Sequence, residues 1–197
     1  MDARPSFAAG RRELTKAQNR ETILAAARLV FDQLGFANAT VRDIIRATPL
    51  ASGTFYNYFK SKEEVYQALR DEQAMAVRPR LRQARSTANN AEQFLRAGFR
   101  VFFQFVAENR SGTPAPTQRF RLDSPEVLAG FAELRRDVEA AMARGLLPAT
   151  NPALLSAVLI GVAFELAEQV KEGANADVVA DFATALFLGG LKGLPKP

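Results

Sequence analysis

The 197-residue chain contains no cysteine and no histidine. The absence of cysteine excludes a disulfide framework, thiol catalysis and cysteine-based zinc sites. The absence of histidine removes the usual general base, the usual pH switch and the commonest metal ligand. We therefore predict that the chain is not an enzyme and uses neither a metal nor another cofactor.

Long apolar runs are also scarce. The N-terminus is polar and basic and lacks the continuous apolar region that export requires. The most apolar run, residues 154–167, is interrupted by Glu165, and it is shorter than the roughly 20 residues of a membrane-spanning helix. These features predict a cytoplasmic protein with no membrane partner.

What the chain does contain is an uneven distribution of charge. Its net charge is +5, and residues 63–197 hold sixteen basic and sixteen acidic residues, whereas residues 1–62 hold ten basic and five acidic ones. A basic N-terminal module joined to a neutral body is typical of a protein that binds a polyanion through that module. An excess of five charges also arises by chance, so charge alone does not decide.

Helical periodicity dominates the sequence, and no sustained alternation or hairpin signal indicates a strand. Ile23, Ala27 and Phe31 lie on one face of a first helix, which we expect to run from an N-cap at Thr15 to Gly35. A second, short helix follows a cap at Thr40 and ends before residue 49, a proline.

A third helix is predicted from residue 51 or 52 to about residue 59, and a fourth from residue 61 to about residue 78. Pro79 is expected to bend or end the fourth helix. Further helices are predicted near residues 91–109, 124–144, 152–172 and 176–191.

These elements predict an all-α protein of two domains. A flexible basic arm, residues 1–14, precedes a three-helix helix-turn-helix DNA-binding domain, residues 15–62. Residues 63–197 form a helical ligand-binding and dimerisation domain, which residues 61–78 connect to the first.

The third helix, within the stretch LASGTFYNYFKSK, has two different faces. Phe55 and Phe59 are four residues apart and are expected to pack in the core. The second helix of a helix-turn-helix enters the major groove, so its outer face should carry small residues, hydroxyls and amides that reach phosphates and base edges. The outward residues here are Ser52, Gly53 and Tyr56, flanked by Thr54, Asn57 and Tyr58.

The run TILAAARLVFDQLGFANATVRDIIRATPLASGTFYNYFKSKEEVY, residues 22–66, resembles the N-terminal signature of TetR-family (tetracycline-repressor-like) transcriptional regulators. The resemblance implies that Arg42 contacts a base or a phosphate, and that Asn57 lies at a variable position that contacts DNA in some members. Positions implied to meet base edges are Ser52, Gly53 and Tyr56, and those implied to hold phosphates are Thr40, Thr54, Tyr58 and Lys62.

Two departures from the family pattern occur in the turn. Pro49 replaces the usual glycine, and Leu50 and Ala51 stand where many members have a valine and a polar residue. Because proline is also a turn former, we expect the turn to survive. Taken outside the full signature, Arg42 is better explained as a solvated helix charge, and Thr40 is an N-cap in either case.

The resemblance also implies that the C-terminal body binds a small-molecule effector and releases DNA in response. The body is rich in phenylalanine, which can line an apolar cavity, although aromatics at helical spacing are usually core. The candidate ligand-binding residues are Phe99, Phe102, Phe103, Phe120, Phe131 and Phe164.

The last two predicted helices are apolar on too many sides to bury one face only. Pairing of two copies into a four-helix bundle, which the family uses, would bury the rest. It would also present two recognition helices to two half-sites of a palindromic operator in double-stranded DNA. The predicted homodimer interface comprises Leu155, Val158, Leu159, Val162, Leu166, Val179, Phe182, Ala183, Leu186 and Phe187.

The sequence thus predicts a ligand-responsive, sequence-specific DNA-binding repressor. One alternative is an architectural DNA binder, which would bind unrelated duplexes equally and ignore effectors. Another is an all-α small-molecule enzyme, against which the lack of histidine and cysteine weighs.

Overall fold

A computed structural model describes residues 7–109 and 124–193, with side chains from residue 11 onward. These ranges contain eight α-helices and no strand, which confirms the all-α prediction. The helices are α1 (Phe7–Asn38), α2 (Val41–Arg46), α3 (Ser52–Tyr56), α4 (Lys62–Ser86), α5 (Ala91–Glu108), α6 (Pro125–Ala143), α7 (Pro152–Lys171) and α8 (Ala176–Leu191).

The described residues fall into two compact units, with the boundary in α4 between Arg70 and Asp71. The first unit contains α1 to α3 and residues 62–70. The second contains the rest of α4 and α5 to α8.

The first unit is built around the apolar face of α1. Ile23, Ala27 and Phe31 are buried there, together with Ile44 from α2 and Phe55 from α3. This packing explains why such short helices are stable, because isolated helices of five or six residues are not.

The end of α1 follows the prediction and its start does not. Gly35 interrupts the helix with a φ of 71°, a conformation that glycine adopts at no steric cost. The N-terminal end, however, extends back to Phe7, and the Thr15 hydroxyl donates to the Arg11 carbonyl at 2.9 Å inside the helix. Thr15 is therefore not an N-cap, and residues 7–14 form a helix where a flexible arm was expected. The reason is local, since this segment is rich in alanine, arginine and other helix-forming residues.

Two other boundaries also differ from the prediction. The helix α3 ends at Tyr56, and the chain continues as a turn in which the Phe59 N–H donates to the Phe55 carbonyl at 3.0 Å. The helix α4 continues through Pro79 to Ser86. Contacts made beyond the proline explain this continuation: Arg82 pairs with Glu133 of α6 at 2.9 Å.

The second unit is a helical body whose core comes mainly from α5, α7 and α8. Phe103, Val138, Val170, Ala180 and Ala183 are fully buried. Its four complete helices lie within about two residues of the predicted ranges, because side-chain caps mark their starts. These caps are Asn90, Ser124, Asn151 and Asn175.

The helix α7 is longer than its apolar run suggested. It has 20 residues and, by length and composition alone, could cross a membrane, with a mean hydropathy of 1.7 over 18 residues. The core helix of a soluble protein passes the same test. The length of α7 therefore assigns nothing to a membrane, but only 28% of that window is buried inside the protomer.

Candidate nucleic-acid interface

The turn between α2 and α3 is closed by a threonine hydroxyl. Thr48 Oγ1 donates to the Ile45 carbonyl at 2.8 Å and accepts from the Leu50 N–H at 3.2 Å. These two bonds lead the chain around Pro49, so the turn survives as expected.

The helix α3 separates its side chains into a buried and an exposed set. Phe55 and Phe59 are buried, which confirms their assignment to the core, whereas the Tyr56 side chain is 59% exposed. Ser52, Gly53 and Asn57 are exposed beside Tyr56. Thr54 and Tyr58, which flank this face, are half-buried.

Gly53 is a glycine that the first unit does not itself require. Its φ is not positive, and a Cβ placed there would meet no other atom of the described residues within 4 Å. A methyl group would therefore fit in the isolated protein, and any need for its absence comes from what the helix binds.

The start of α2 is held by a complete capping box. The Thr40 N–H donates to Asp43 Oδ2 at 3.0 Å, the Thr40 hydroxyl donates to the same oxygen at 2.6 Å, and Asp43 N–H donates back to Thr40 Oγ1 at 3.2 Å. The bonds that the Asp43 carboxylate accepts from the Thr40 hydroxyl and N–H lower the pKa of Asp43. Because its hydroxyl proton is committed to Asp43, Thr40 acts mainly by fixing α2, while Arg42 is exposed on the same helix.

Lys62, which the resemblance implies holds a phosphate, is surrounded by backbone carbonyls in the structure. Its ammonium Nζ donates to the carbonyls of Phe36 at 2.8 Å, Ala37 at 3.2 Å and Ala39 at 2.8 Å. It also lies 4.7 Å from the centre of the Phe36 ring. An ammonium has three donors, and three carbonyls accept from it here, so we infer that the lysine caps the end of α1 in place of the predicted phosphate contact.

The predicted ligand-binding phenylalanines separate into two groups in the second unit. Phe99 and Phe103 are buried in the core and stack at 5.8 Å. Phe102, Phe131 and Phe164 are half-buried and form an edge-to-face cluster with ring distances of 5.7 and 5.9 Å. The sixth candidate, Phe120, lies outside the described residues.

A cleft lies between α4 and α5, away from these phenylalanines. It has a volume of about 320 Å³ and contains none of the predicted phenylalanines. Its lining residues are Arg80, Gln83, Ala84, Val101, Gln104 and Glu108.

The predicted dimer stripe divides between the core and the surface. Leu155, Leu159, Ala183 and Phe187 are buried inside the protomer and form its own core. Val162, Leu166 and Val179 are half-buried. The large exposed apolar side chains of α7 and α8 are Leu154, Val158, Val178, Phe182 and Leu186.

Leu154 and Val178 were not among the predicted interface residues. No signal in the sequence separates them from their buried neighbours, because both helices are apolar on nearly all sides.

Among residues 7–109 and 124–193, no cluster of acidic side chains is suited to a metal ion.

A short helix with a polar and aromatic outer face, seated on a buried core after a tight turn, defines a helix-turn-helix DNA-binding protein. The N-terminal part of the chain also matches a particular family of this class. The sequence profile of the bacterial regulatory proteins of the tetR family matches residues 23–69, which confirms the resemblance seen in the sequence.

Solved structures share the fold over most of the chain. The fatty acid degradation regulator FadR from Bacillus halodurans is 23% identical, with a TM-score of 0.74 over 88% of this chain and 96% of that one. FadR from Bacillus subtilis in complex with stearoyl-CoA is 19% identical, with a TM-score of 0.69 over 89% and 99%. The regulator RolR in complex with resorcinol is 19% identical, with a TM-score of 0.65 over 94% and 98%.

Proposed function

We propose that this TetR-family regulator is a cytoplasmic repressor that binds a palindromic operator as a homodimer and leaves it when a small, mostly apolar effector binds. The observation that carries the proposal is the exposed face of α3 within the family-matched domain. In this proposal Ser52, Gly53 and Tyr56 meet base edges, and Arg42, Thr54, Asn57 and Tyr58 contact phosphates or neighbouring bases.

The exposed apolar side chains of α7 and α8 support the homodimer. Burying one such side chain contributes about 1.5–3 kcal/mol, and each copy presents five of them, from Leu154 to Leu186. Pairing two copies would cover them and place two α3 helices about 34–36 Å apart, one DNA turn.

The half-buried cluster of Phe102, Phe131 and Phe164 supports an apolar effector. Arg78 of α4 lies against α6, the helix that carries Phe131, with its Cδ 3.8 Å from the position of a Cβ at Gly130. Its buried Nε has no hydrogen-bond partner among the described residues. The relatives that hold stearoyl-CoA and resorcinol support an effector with an apolar body and a polar end.

The first test is selection of a binding site from random duplexes, followed by competition with unrelated DNA at fixed salt. We expect a two-fold symmetric site that is preferred at least about 1,000-fold over unrelated DNA. The Tyr56→Ala variant should keep its thermal stability and lose most of this preference. Equal affinity for all duplexes would contradict a sequence-specific regulator and favour an architectural one.

The effector is tested on the selected duplex with stearoyl-CoA and resorcinol as probes. Release corresponds to a coupling of about 1–3 kcal/mol, or roughly a 5- to 150-fold loss of operator affinity. A Phe164→Ala variant should abolish the response while binding the operator as the parent does. If each probe binds but leaves operator affinity unchanged, the repressor-release mechanism is wrong for these effector classes.

A further inference from the structure

The helix α1 extends well beyond the core that it helps to form. Its first fully buried side chain is Ile23, and residues 11–18 are all exposed. Two or more helical turns that bury nothing gain no stability from packing. A surface of this kind is a candidate for contact with something outside the protomer.

The exposed part of α1 is strongly basic. Between residues 11 and 20 it carries Arg11, Arg12, Lys16 and Arg20 against a single acid, Glu13. This segment therefore supplies three of the five excess positive charges of the chain, and it supplies them at exposed positions.

Three of the four cations form a row, which we call the basic row: Arg12, Lys16 and Arg20. At 100° per residue, these three positions fall within about 80° of the helix circumference, and the same sector contains the buried Ile23 and Ala27. The basic row thus lies on the same face of α1 as the residues that pack against α2 and α3, beyond the point where the core ends. Arg11 lies about 140° away from the centre of the row.

A direct contact connects the basic row to the turn that follows α3. The Arg20 guanidinium lies 5.6 Å from the centre of the Phe59 ring, three residues after the end of α3. Lys16 and Arg12 follow about 6 and 12 Å further along the helix axis, at 1.5 Å per residue. The basic row therefore begins beside the turn that follows α3 and leads away from it.

We propose that the basic row binds DNA phosphates that flank the site read by α3. This inference rests on the proposed function and adds a second contact surface to it. Duplex DNA is the partner that the charge favours, because it carries one negative charge per about 1.7 Å of axis. Such contacts strengthen binding without reading sequence.

The test compares neighbouring arginines on opposite sides of α1. Arg12→Gln removes a charge from the basic row, and Arg11→Gln removes the same charge from the other side. Glutamine has nearly the helix propensity of arginine, and circular dichroism should confirm equal helix content. Dissociation constants are measured between about 50 and 200 mM salt, on the selected operator and on a random duplex of equal length.

We expect Arg12→Gln to weaken binding to both duplexes by the same factor and to lower the salt slope by about 0.9 per protomer. The double variant Arg12→Gln, Lys16→Gln should lower it by about 1.8, so that the salt-induced loss of affinity shrinks roughly tenfold per protomer. Arg11→Gln should leave the slope near that of the parent.

Equal slopes for Arg11→Gln and Arg12→Gln, or an unchanged slope in the double variant, would overturn the proposal. If the parent still prefers the operator in that case, only the basic row is refuted. If the parent binds no duplex, the proposed function fails together with it.

Discussion

At the scale of single residues, Lys62 shows how a charge in a DNA-binding domain can serve the fold. Its ammonium binds three carbonyls at the end of α1, between 2.8 and 3.2 Å, next to the break at Gly35. Basic groups are favoured at helix C-termini because they satisfy the last carbonyls and oppose the helix dipole. The lysine thereby fixes the entry into α2.

We predict that Lys62→Met lowers the free energy of unfolding by about 1–3 kcal/mol, the cost of losing a charged hydrogen-bond partner. The salt slope of DNA binding should not change, because no phosphate contact is lost. Urea denaturation and a salt series measure the two effects. Lys60→Met removes an equal charge from an exposed neighbour and should leave stability unchanged. If Lys62→Met lowers the salt slope by about one, Lys62 contacts a phosphate after all.

Replacing Gly53 should have the opposite combination of effects, a gain in stability and a loss of operator affinity. An alanine there meets no atom of the described first unit within 4 Å and is the better helix former, so Gly53→Ala should raise stability by about 0.5–1 kcal/mol. The added methyl group faces outward on α3 and should reduce operator affinity by at least about tenfold, since the helix can no longer approach the groove as closely. Thermal unfolding measures the expected gain in stability, and operator titration measures the expected loss of affinity. Unchanged affinity would remove Gly53 from the interface.

At the scale of helices, α4 is joined to α6 by a ladder of charges in the second unit. Arg78 and Arg82 pair with Glu133, and Arg85 pairs with Asp137 at 3.1 Å. The hydrogen bond from Arg78 lowers the pKa of Glu133. Burial lowers the pKa of Arg85, against the effect of its bond to Asp137. The ladder explains how α4 persists beyond Pro79.

Asp137→Ala should destabilise the second unit by about 2–4 kcal/mol, because it leaves the Arg85 charge without its partner in a site where the side chain is 13% exposed. The matched control is Glu139→Ala on the same helix, which breaks the exposed pair with Arg135 at 3.0 Å. That change should cost at most about 0.5 kcal/mol. Comparable losses for the two variants, measured by urea denaturation, would contradict a structural role for the ladder.

The helices themselves were largely predictable from local signals. Side-chain caps such as Thr40 and Ser124, and stops such as Gly35, act within a few residues of the sequence. The end of α4 was not predictable, because the pairs that carry it past Pro79 join positions about 50 residues apart. The role of Lys62 was hidden for the same reason, since its acceptors lie 23 to 26 residues earlier.

Periodicity predicted which side of α3 is buried but not which side of α7 and α8. The outer residues of α3 are mostly polar, whereas Phe55 and Phe59 are apolar, so a period of 3.6 residues places the two groups on different sides of the helix. In α7 and α8 nearly every position is apolar, and nothing local distinguishes exposed Phe182 from buried Phe187. Only the packing of α5 against α7 and α8 makes that choice.

At the scale of the whole molecule, the exposed apolar face of α7 and α8 determines the proposed oligomeric state. Phe182 is 60% exposed on α8, and a two-fold interface would bury it twice. Phe182→Glu should therefore weaken the dimer by at least about 3–6 kcal/mol, or roughly 150- to 20,000-fold in the dissociation constant. Leu128→Glu, an exposed apolar site on α6 at 48% exposure, is the matched control and should leave the dimer intact.

Sedimentation equilibrium measures the mass, and operator titration measures the consequence. A monomeric Phe182→Glu protein retains α3, so it should bind a single half-site as the parent does. It should lose the gain in affinity that comes from linking two half-sites, which is typically 100-fold or more. If Phe182→Glu stays dimeric, the dimer interface does not lie on this face of α7 and α8. A variant that is monomeric yet binds the full operator as tightly as the parent would separate DNA recognition from dimerisation.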